Sequence, residues 1–530
     1  MRVRYVKGNI YTGSLPLQSC FVVEDGAFLY VGNEQDAPMA EQEIDLQGRF
    51  VCAGFNDSHM HLLNYGQALM VAPLHLHTAS LEELISCLKE TAPGQGNWII
   101  GRGWNQDSFS DVHRMPNRYD LDRVSLIHPV CAIRACGHAL SVNSVALDLL
   151  GITENTPQPE GGEIVMDRGV PNGIFFDNAM ELVLSRIPAP NREYIKEMIL
   201  RACHALNAYG ITSCQSDDYC VFHTVPWQTV NEAFQELEQM QQLTVRVYEQ
   251  ANLTSLSELK CYVESGNRTG NGSNYFKIGP LKMLGDGALG ARTAFLSRPY
   301  ADAPDTRGLS VFTKETFDQM IGYAHRNGLQ VAVHCIGDAC LDLVLDSMEK
   351  AIKNDPRENH RHGIVHCQIT RPDQLQKIAD MNLHIYAQSI FLDYDIHIVE
   401  NRAGPELARS SYHWKWLKDH GCRVSNGSDC PVELPDVLAG IQCAVTRRDL
   451  NGTGPYLPQQ AFSVQEALDS FTKESVWASF DESIKGEIKA GMLADFVLLD
   501  QNPFETDPSE LKNIRVMQTY LSGTCVYSRQ

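Results

Sequence analysis

Apolar and polar positions along the chain change rhythm more than once. Near the N-terminus they form short β-rich runs, Arg2–Val6, Cys20–Val23 and Phe28–Val31. Glu24-Asp25-Gly26 between the last two predicts a hairpin. No helix of three turns fits before His59, and so small a β unit cannot hold a good core alone. A partner is available at the other end. Residues 486–500 end in a strand, and Val516–Leu521 and Thr524–Tyr527 add two more around a Ser522-Gly523 turn. The two termini, residues 1–52 and 486–530, are expected to pair into one composite β-sandwich.

From about residue 195 helix and strand patterns alternate. A helical run Tyr194–Tyr209 meets Gly210 and then the strand Ile211–Gln215. A helix over 230–242 precedes Val245–Tyr248, and Phe276–Met283 is a further strand. Glu315–Asn327, closed by Gly328, precedes Leu329–Cys335, and Gly363–Cys367 follows. Pro372 opens a helix that Asn382 ends, before the strand His384–Gln388. Trp414–His420 precedes Cys422–Asn426. Such alternation predicts a parallel sheet, and this many units favour a distorted (β/α)8 TIM barrel within 53–485. The stretch 63–205 is less regular. Ser80 and Glu83 predict a capping box for a helix around 81–91, while Trp98–Gly101 and Val130–Arg134 look like strands. Gly and Pro punctuate 151–174, and the whole stretch is expected to be an insertion over the barrel mouth.

Composition narrows the class. A chain of 530 residues with 43% hydrophobic content can bury a large core. A net charge of −21 disfavours nucleic acid and anionic membranes as partners. No run of about 18 apolar residues is present to span a bilayer. The N-terminus lacks the apolar core of a signal peptide. Sixteen cysteines without CxxC pairs point to reduced thiols in a cytoplasmic protein. A small-molecule substrate is the expected partner, with a homodimer as the candidate assembly.

The candidate chemistry begins at Phe55-Asn56-Asp57-Ser58-His59-Met60-His61. Two histidines two apart on a strand point to the same side, so both can reach one cation. In a barrel the active site lies at the C-terminal ends of the strands. Lys282, His334, His366 and Asp429 each close a later apolar run. Burying such groups without partners is costly, and a metal centre would satisfy them together. His75-Leu76-His77 repeats the HxH spacing but lacks a core strand and an aspartate leading in, so it is set aside. Cys335, Cys367 and Cys430 follow proposed ligands and read as small buried hydrophobes. Gly285-Asp286-Gly287-Ala288-Leu289-Gly290 lacks the spacing of a phosphate or dinucleotide loop.

This set resembles the amidohydrolase superfamily: HxH on the first strand, lysine on the fourth, histidines on the fifth and sixth, aspartate on the eighth. FNDSHMH, KMLGDGALGARTA, VAVHCIGDA, RHGIVHCQ, SNGSDCPVELP, AVTRR and GEIKAGMLADFVLLD are similar to the YtcJ-like, or amidohydrolase-3, family, whose members include N-substituted formamide deformylase. The resemblance implies one or two divalent ions, zinc first, held by His59, His61, His334, His366 and Asp429. It implies that Lys282, carboxylated by CO2, bridges the pair; the alternative is an unmodified amine salt-bridged to Asp286. A metal-activated hydroxide would attack an amide or N-formyl/N-acyl carbon, with Asp429 as general base. Trp104, His138 and Arg292 are substrate-binding candidates by the same resemblance. A catalytically silent metal-binding regulator of the same fold is the alternative function, and Asp429 discriminates the two.

Overall fold

A computed structural model describes every residue except Gly137 and His223. The chain divides into two compact units, the larger comprising residues 1–62, 203–221 and 234–530, the smaller 63–202 and 222–233.

The larger unit contains a distorted (β/α)8 barrel. Its eight parallel strands are β1 (Phe55–Met60), β2 (Ile211–Ser216), β3 (Arg246–Asn252), β4 (Phe276–Leu284), β5 (Val331–Cys335), β6 (Gly363–His366), β7 (His384–Ala387) and β8 (Val424–Asn426). They pair in sequence order from β1 to β8. These strands are buried almost throughout, as expected where helices cover the outer face. Helices begin where local chemistry satisfies their free amides. Thr313 accepts from the Thr316 amide at the start of Lys314–Arg326, and Ser255 from that of Glu258 at Leu256–Glu264.

The seam between β8 and β1 is closed by Asp57. Its carboxylate accepts from the Ser428 amide at 3.1 Å and the Ser428 hydroxyl at 2.5 Å. The Asp429 amide donates to the His59 carbonyl, and the His61 amide to that of Cys430, each at 2.8 Å. Gly427 permits this approach, because a Cβ there would stand 2.6 Å from Asp57 Oδ1 and from the His59 nitrogen. The seam therefore fixes the first strand's histidines against the eighth strand's aspartate.

The two ends of the chain share a sandwich. One sheet joins 27–32, 20–24, 2–6 and 42–45; the other joins 9–10, 50–53, 496–499, 516–521 and 524–528. The predicted hairpin has Asp25 and Gly26 both at positive φ, 48° and 80°, as a tight two-residue turn requires. Aromatic rings fill the space between the sheets. Tyr5 stacks on Phe21 at 4.6 Å and Phe496 on Tyr520 at 4.3 Å. A buried ion pair ties this sandwich to the barrel: Arg246 on β3 donates twice to Asp495, at 2.7 and 3.0 Å.

The smaller unit is built on a six-stranded sheet ordered 162–167, 170–177, 139–142, 130–134, 99–104 and 72–73. Both faces are covered, so alternate residues of Val130–Arg134 enter different cores: Val130 and Ala132 join Leu84 and Leu88, and Cys131 joins Leu140 and Phe175. The region around 151–174 that reads as punctuated loop contains a hairpin. Its turn, Arg168-Gly169, is not one of the strong hairpin dipeptides, yet both residues take positive φ. The helix Leu81–Glu90 begins as predicted at Ser80, whose hydroxyl accepts from the Glu83 amide; Glu83 reaches back to the Ala79 amide rather than that of Ser80.

Among the described residues no helix is long and apolar enough to cross a membrane. All sixteen cysteines are unpaired.

Candidate metal centre

β1 carries His59 near its end, and His61 follows it immediately. His59 Nδ1 lies 2.9 Å from Gln250 Oε1, and His61 Nδ1 lies 3.1 Å from the Asp217 carbonyl oxygen. The Gln250 amide is itself oriented, because its nitrogen donates to the Ser58 carbonyl at 3.2 Å. Both partners of the imidazoles are acceptors, so each Nδ1 carries a proton and Nε2 is the atom left to meet a cation or a second proton. Those Nε2 atoms lie 3.3 and 3.0 Å from Asp429 Oδ1. Among the described residues, His59, His61 and Asp429 are the one group of three whose ligand atoms all lie within 4.8 Å of one another.

Electrostatics follow from this convergence. Burial opposes charge on His61, but the hydrogen bond and charge of Asp429 outweigh it and push its pKa up to about 9. Burial likewise raises the Asp429 carboxyl, yet the bonds from His59 and His61 hold it well below the usual carboxylate range. Two imidazoles and a carboxylate turned toward one point make a donor set that fits a divalent cation. A proton and such an ion compete for the same lone pairs.

A second pair of imidazoles stands alongside. His366 closes β6, with Nδ1 2.7 Å from Gln388 Oε1 and its carbonyl accepting from Trp414 Nε1 at 2.9 Å. Its ring centre lies 4.5 Å from that of His334 and 5.7 Å from that of His59. His334, on β5, has Nε2 3.2 Å from the Gly287 carbonyl and 3.5 Å from Asp286 Oδ1. Burial pushes the His334 pKa down to about 3, helped by the Lys282 charge, and holds His366 well below its usual value. Both are therefore neutral at physiological pH, the state in which imidazole binds metal. His366 and Asp429 both sit at positive φ, 70° and 59°. Left-handed backbone at non-glycine residues costs of order 1–3 kcal/mol and clusters at functional sites.

Lys282, fully buried on β4, donates from Nζ to Asp217 Oδ2 at 3.1 Å. Asp286 is not its partner. That carboxylate is taken up by the Phe295, Ile336 and Gly337 amides at 2.8, 3.0 and 2.8 Å. It ties the loop after β4 to the end of β5.

Arg292, on the long loop after β4, has φ 59° and a bidentate pair with Asp302 at 3.2 and 2.8 Å. Trp104 is fully buried in an apolar core of the smaller unit with Leu74, Leu88 and Phe109. His138, also in that unit, is exposed and lies 3.0 Å from Asp177. Cys335, Cys367 and Cys430 are buried thiols whose pKa burial raises. Sequence reasoning missed Gln250, Gln388 and Asp217, which hold the imidazoles and Lys282. Asp217 stands directly after β2, the kind of position that singled out the candidate ligands.

Residues 42–527 match the sequence model of the amidohydrolase family. The chain is 32% identical over 526 residues to the putative amidohydrolase YtcJ of Bacillus subtilis, covering 96% of this chain and 95% of that protein. It is 27% identical over 544 residues to N-substituted formamide deformylase of Arthrobacter pascens, covering 96% and 94%. A crystal structure of an uncharacterised metal-dependent hydrolase from Pyrococcus furiosus superposes with a TM-score of 0.78 at 30% identity, covering 95% and 100%. The chain belongs to the amidohydrolase family.

Proposed function

We propose that this protein is a metal-dependent hydrolase of a carbon–nitrogen bond, acting on an amide of N-formyl or N-acyl type. The convergence of His59 Nε2, His61 Nε2 and Asp429 Oδ1 carries the reading. His59, His61 and Asp429 would hold one divalent ion, zinc by its taste for imidazole and carboxylate; His334 and His366, with Lys282 if carboxylated, would hold a second. When bound, the ion acidifies a water and polarises a carbonyl.

The chain's own residues supply the rest. Gln250 and the Asp217 carbonyl keep both first-strand imidazoles in one tautomer, aimed at Asp429. Asp429 takes the proton of the attacking water and returns it to the leaving nitrogen. The pKa of its carboxyl is held well below the usual carboxylate range, so it is ionised. Arg292, held by Asp302 on the loop after β4, is proposed to face the substrate. The deformylase relative supports an N-formyl amine as first choice. The presence of Asp429 sets this reading above a silent regulator of the same fold, which has no use for a general base.

The test is release of amine from a panel of N-formyl and N-acyl amines by zinc-loaded protein. Turnover should vanish with a chelator and return with zinc. Normal zinc binding with no turnover on any amide would contradict the hydrolase reading.

A further inference from the structure

One residue touches both groups of proposed ligands. The Asp217 amide donates to the Met60 carbonyl at 3.0 Å, and its own carbonyl accepts from His61 Nδ1 at 3.1 Å. Its backbone is thus pinned beside the HxH strand. Its carboxylate then points the other way around the site. Oδ2 accepts from Lys282 Nζ at 3.1 Å and from Asn252 Nδ2 at 3.2 Å. Asn252 and Lys282 are register neighbours on β3 and β4, so the three groups are locked by strand pairing.

Lys282 is 0% exposed and Asp217 is 3% exposed. A buried ammonium needs a partner, and Asp217 is the acid in contact with it. We propose that Asp217 is a positioning residue of the metal centre, fixing Lys282 Nζ and balancing its charge. The arrangement serves either state of the lysine. An ammonium makes an ion pair; a carboxylated Nζ keeps one N–H for the same acceptor. Removing the carboxylate leaves either a misplaced ligand or an uncompensated cation beside the incoming metal, and both weaken metal binding. This inference rests on the proposal that the centre holds a divalent ion.

The experiment is chelator competition for zinc, together with the visible spectrum of the cobalt-loaded protein, on the full chain. The variants are Asp217→Ala, Asp217→Asn, Lys282→Met and the double variant Asp217→Ala/Lys282→Met. Asp217→Ala should weaken zinc binding about 10- to 100-fold and shift the cobalt spectrum. Asp217→Asn, which keeps an oxygen but not the charge, should fall between; where the alanine variant does not fold, it carries the comparison. In the Lys282→Met background the Asp217 change should matter by no more than about twofold, because the group it acts through is gone. Wild-type affinity and spectrum in the Asp217 variants would overturn the assignment. An equal loss with and without Lys282 would overturn it too, assigning Asp217 to structure alone. Wild-type protein that binds no zinc would overturn both this inference and the hydrolase reading.

Discussion

His61 Nε2 lies 3.0 Å from Asp429 Oδ1, although 368 residues separate them in the chain. The barrel seam creates this contact, since the His61 amide bonds to the Cys430 carbonyl and the Asp429 amide to the His59 carbonyl. In the proposed reaction Asp429 takes a proton from a water at the HxH pair. Asp429→Asn keeps the shape and an oxygen but cannot accept that proton. Amide turnover should fall about 10²–10⁴-fold, with melting temperature and most of the histidine-bound zinc retained. Near-wild-type kcat would remove Asp429 from the proton-transfer role.

Gln250 offers a prediction on affinity rather than rate. Its Oε1 fixes the His59 tautomer at 2.9 Å. Gln250→Leu leaves the buried ring free to turn, and zinc affinity should drop about 10- to 100-fold. Chelator competition measures this. An unchanged dissociation constant would show that packing alone orients His59.

Much of this candidate centre is legible because the proposed ligands sit at strand ends. His59, His334, His366, Lys282 and Asp429 could be found by asking which polar residues close apolar runs. Their supports were not legible in the same way. Gln250 and Gln388 are ordinary residues in ordinary strands, and only cross-barrel register shows which ring each meets. The Asp286 alternative for Lys282 fails for a related reason. Asp286 is near in sequence, but Asp217 is near in space, one neighbour of β3 away. In the smaller unit, strands 139–142 and 170–177 escaped notice because their sheet is buried on both faces and their hairpin turn is atypical.

The ion pair of Arg246 with Asp495 yields a stability prediction. Both groups are nearly fully buried and bonded twice. Arg246→Met strands the carboxylate, which should cost about 3–5 kcal/mol. Urea denaturation reads this out. Replacing both residues by apolar ones should recover part of the loss, and a double variant as unstable as the sum would refute coupling between them.

Acid stability should reflect a chain of buried histidines at the opposite end of β6. The Val331 amide donates to His362 Nδ1 at 3.0 Å, so His362 Nε2 carries the proton and donates to His325 Nδ1 at 2.8 Å. His360 Nδ1 accepts from the His362 amide at 2.9 Å, and burial lowers its pKa to about 4, helped by Arg357. A histidine depressed in the fold contributes stability that is present above its unfolded pKa near 6.5 and lost as pH falls through about 4. His360→Asn keeps an acceptor but does not titrate. Its melting temperature should fall less than that of the wild type between pH 6.5 and 4. Parallel slopes would place the acid sensitivity elsewhere.

A divalent ion is proposed to sit among His59, His61 and Asp429. Anomalous diffraction at the zinc edge from zinc-loaded crystals tests it most directly. A peak is expected about 2.0–2.2 Å from His59 Nε2, His61 Nε2 and an Asp429 oxygen. A zinc-loaded crystal with no peak there, or with its peak only at other residues, would contradict it.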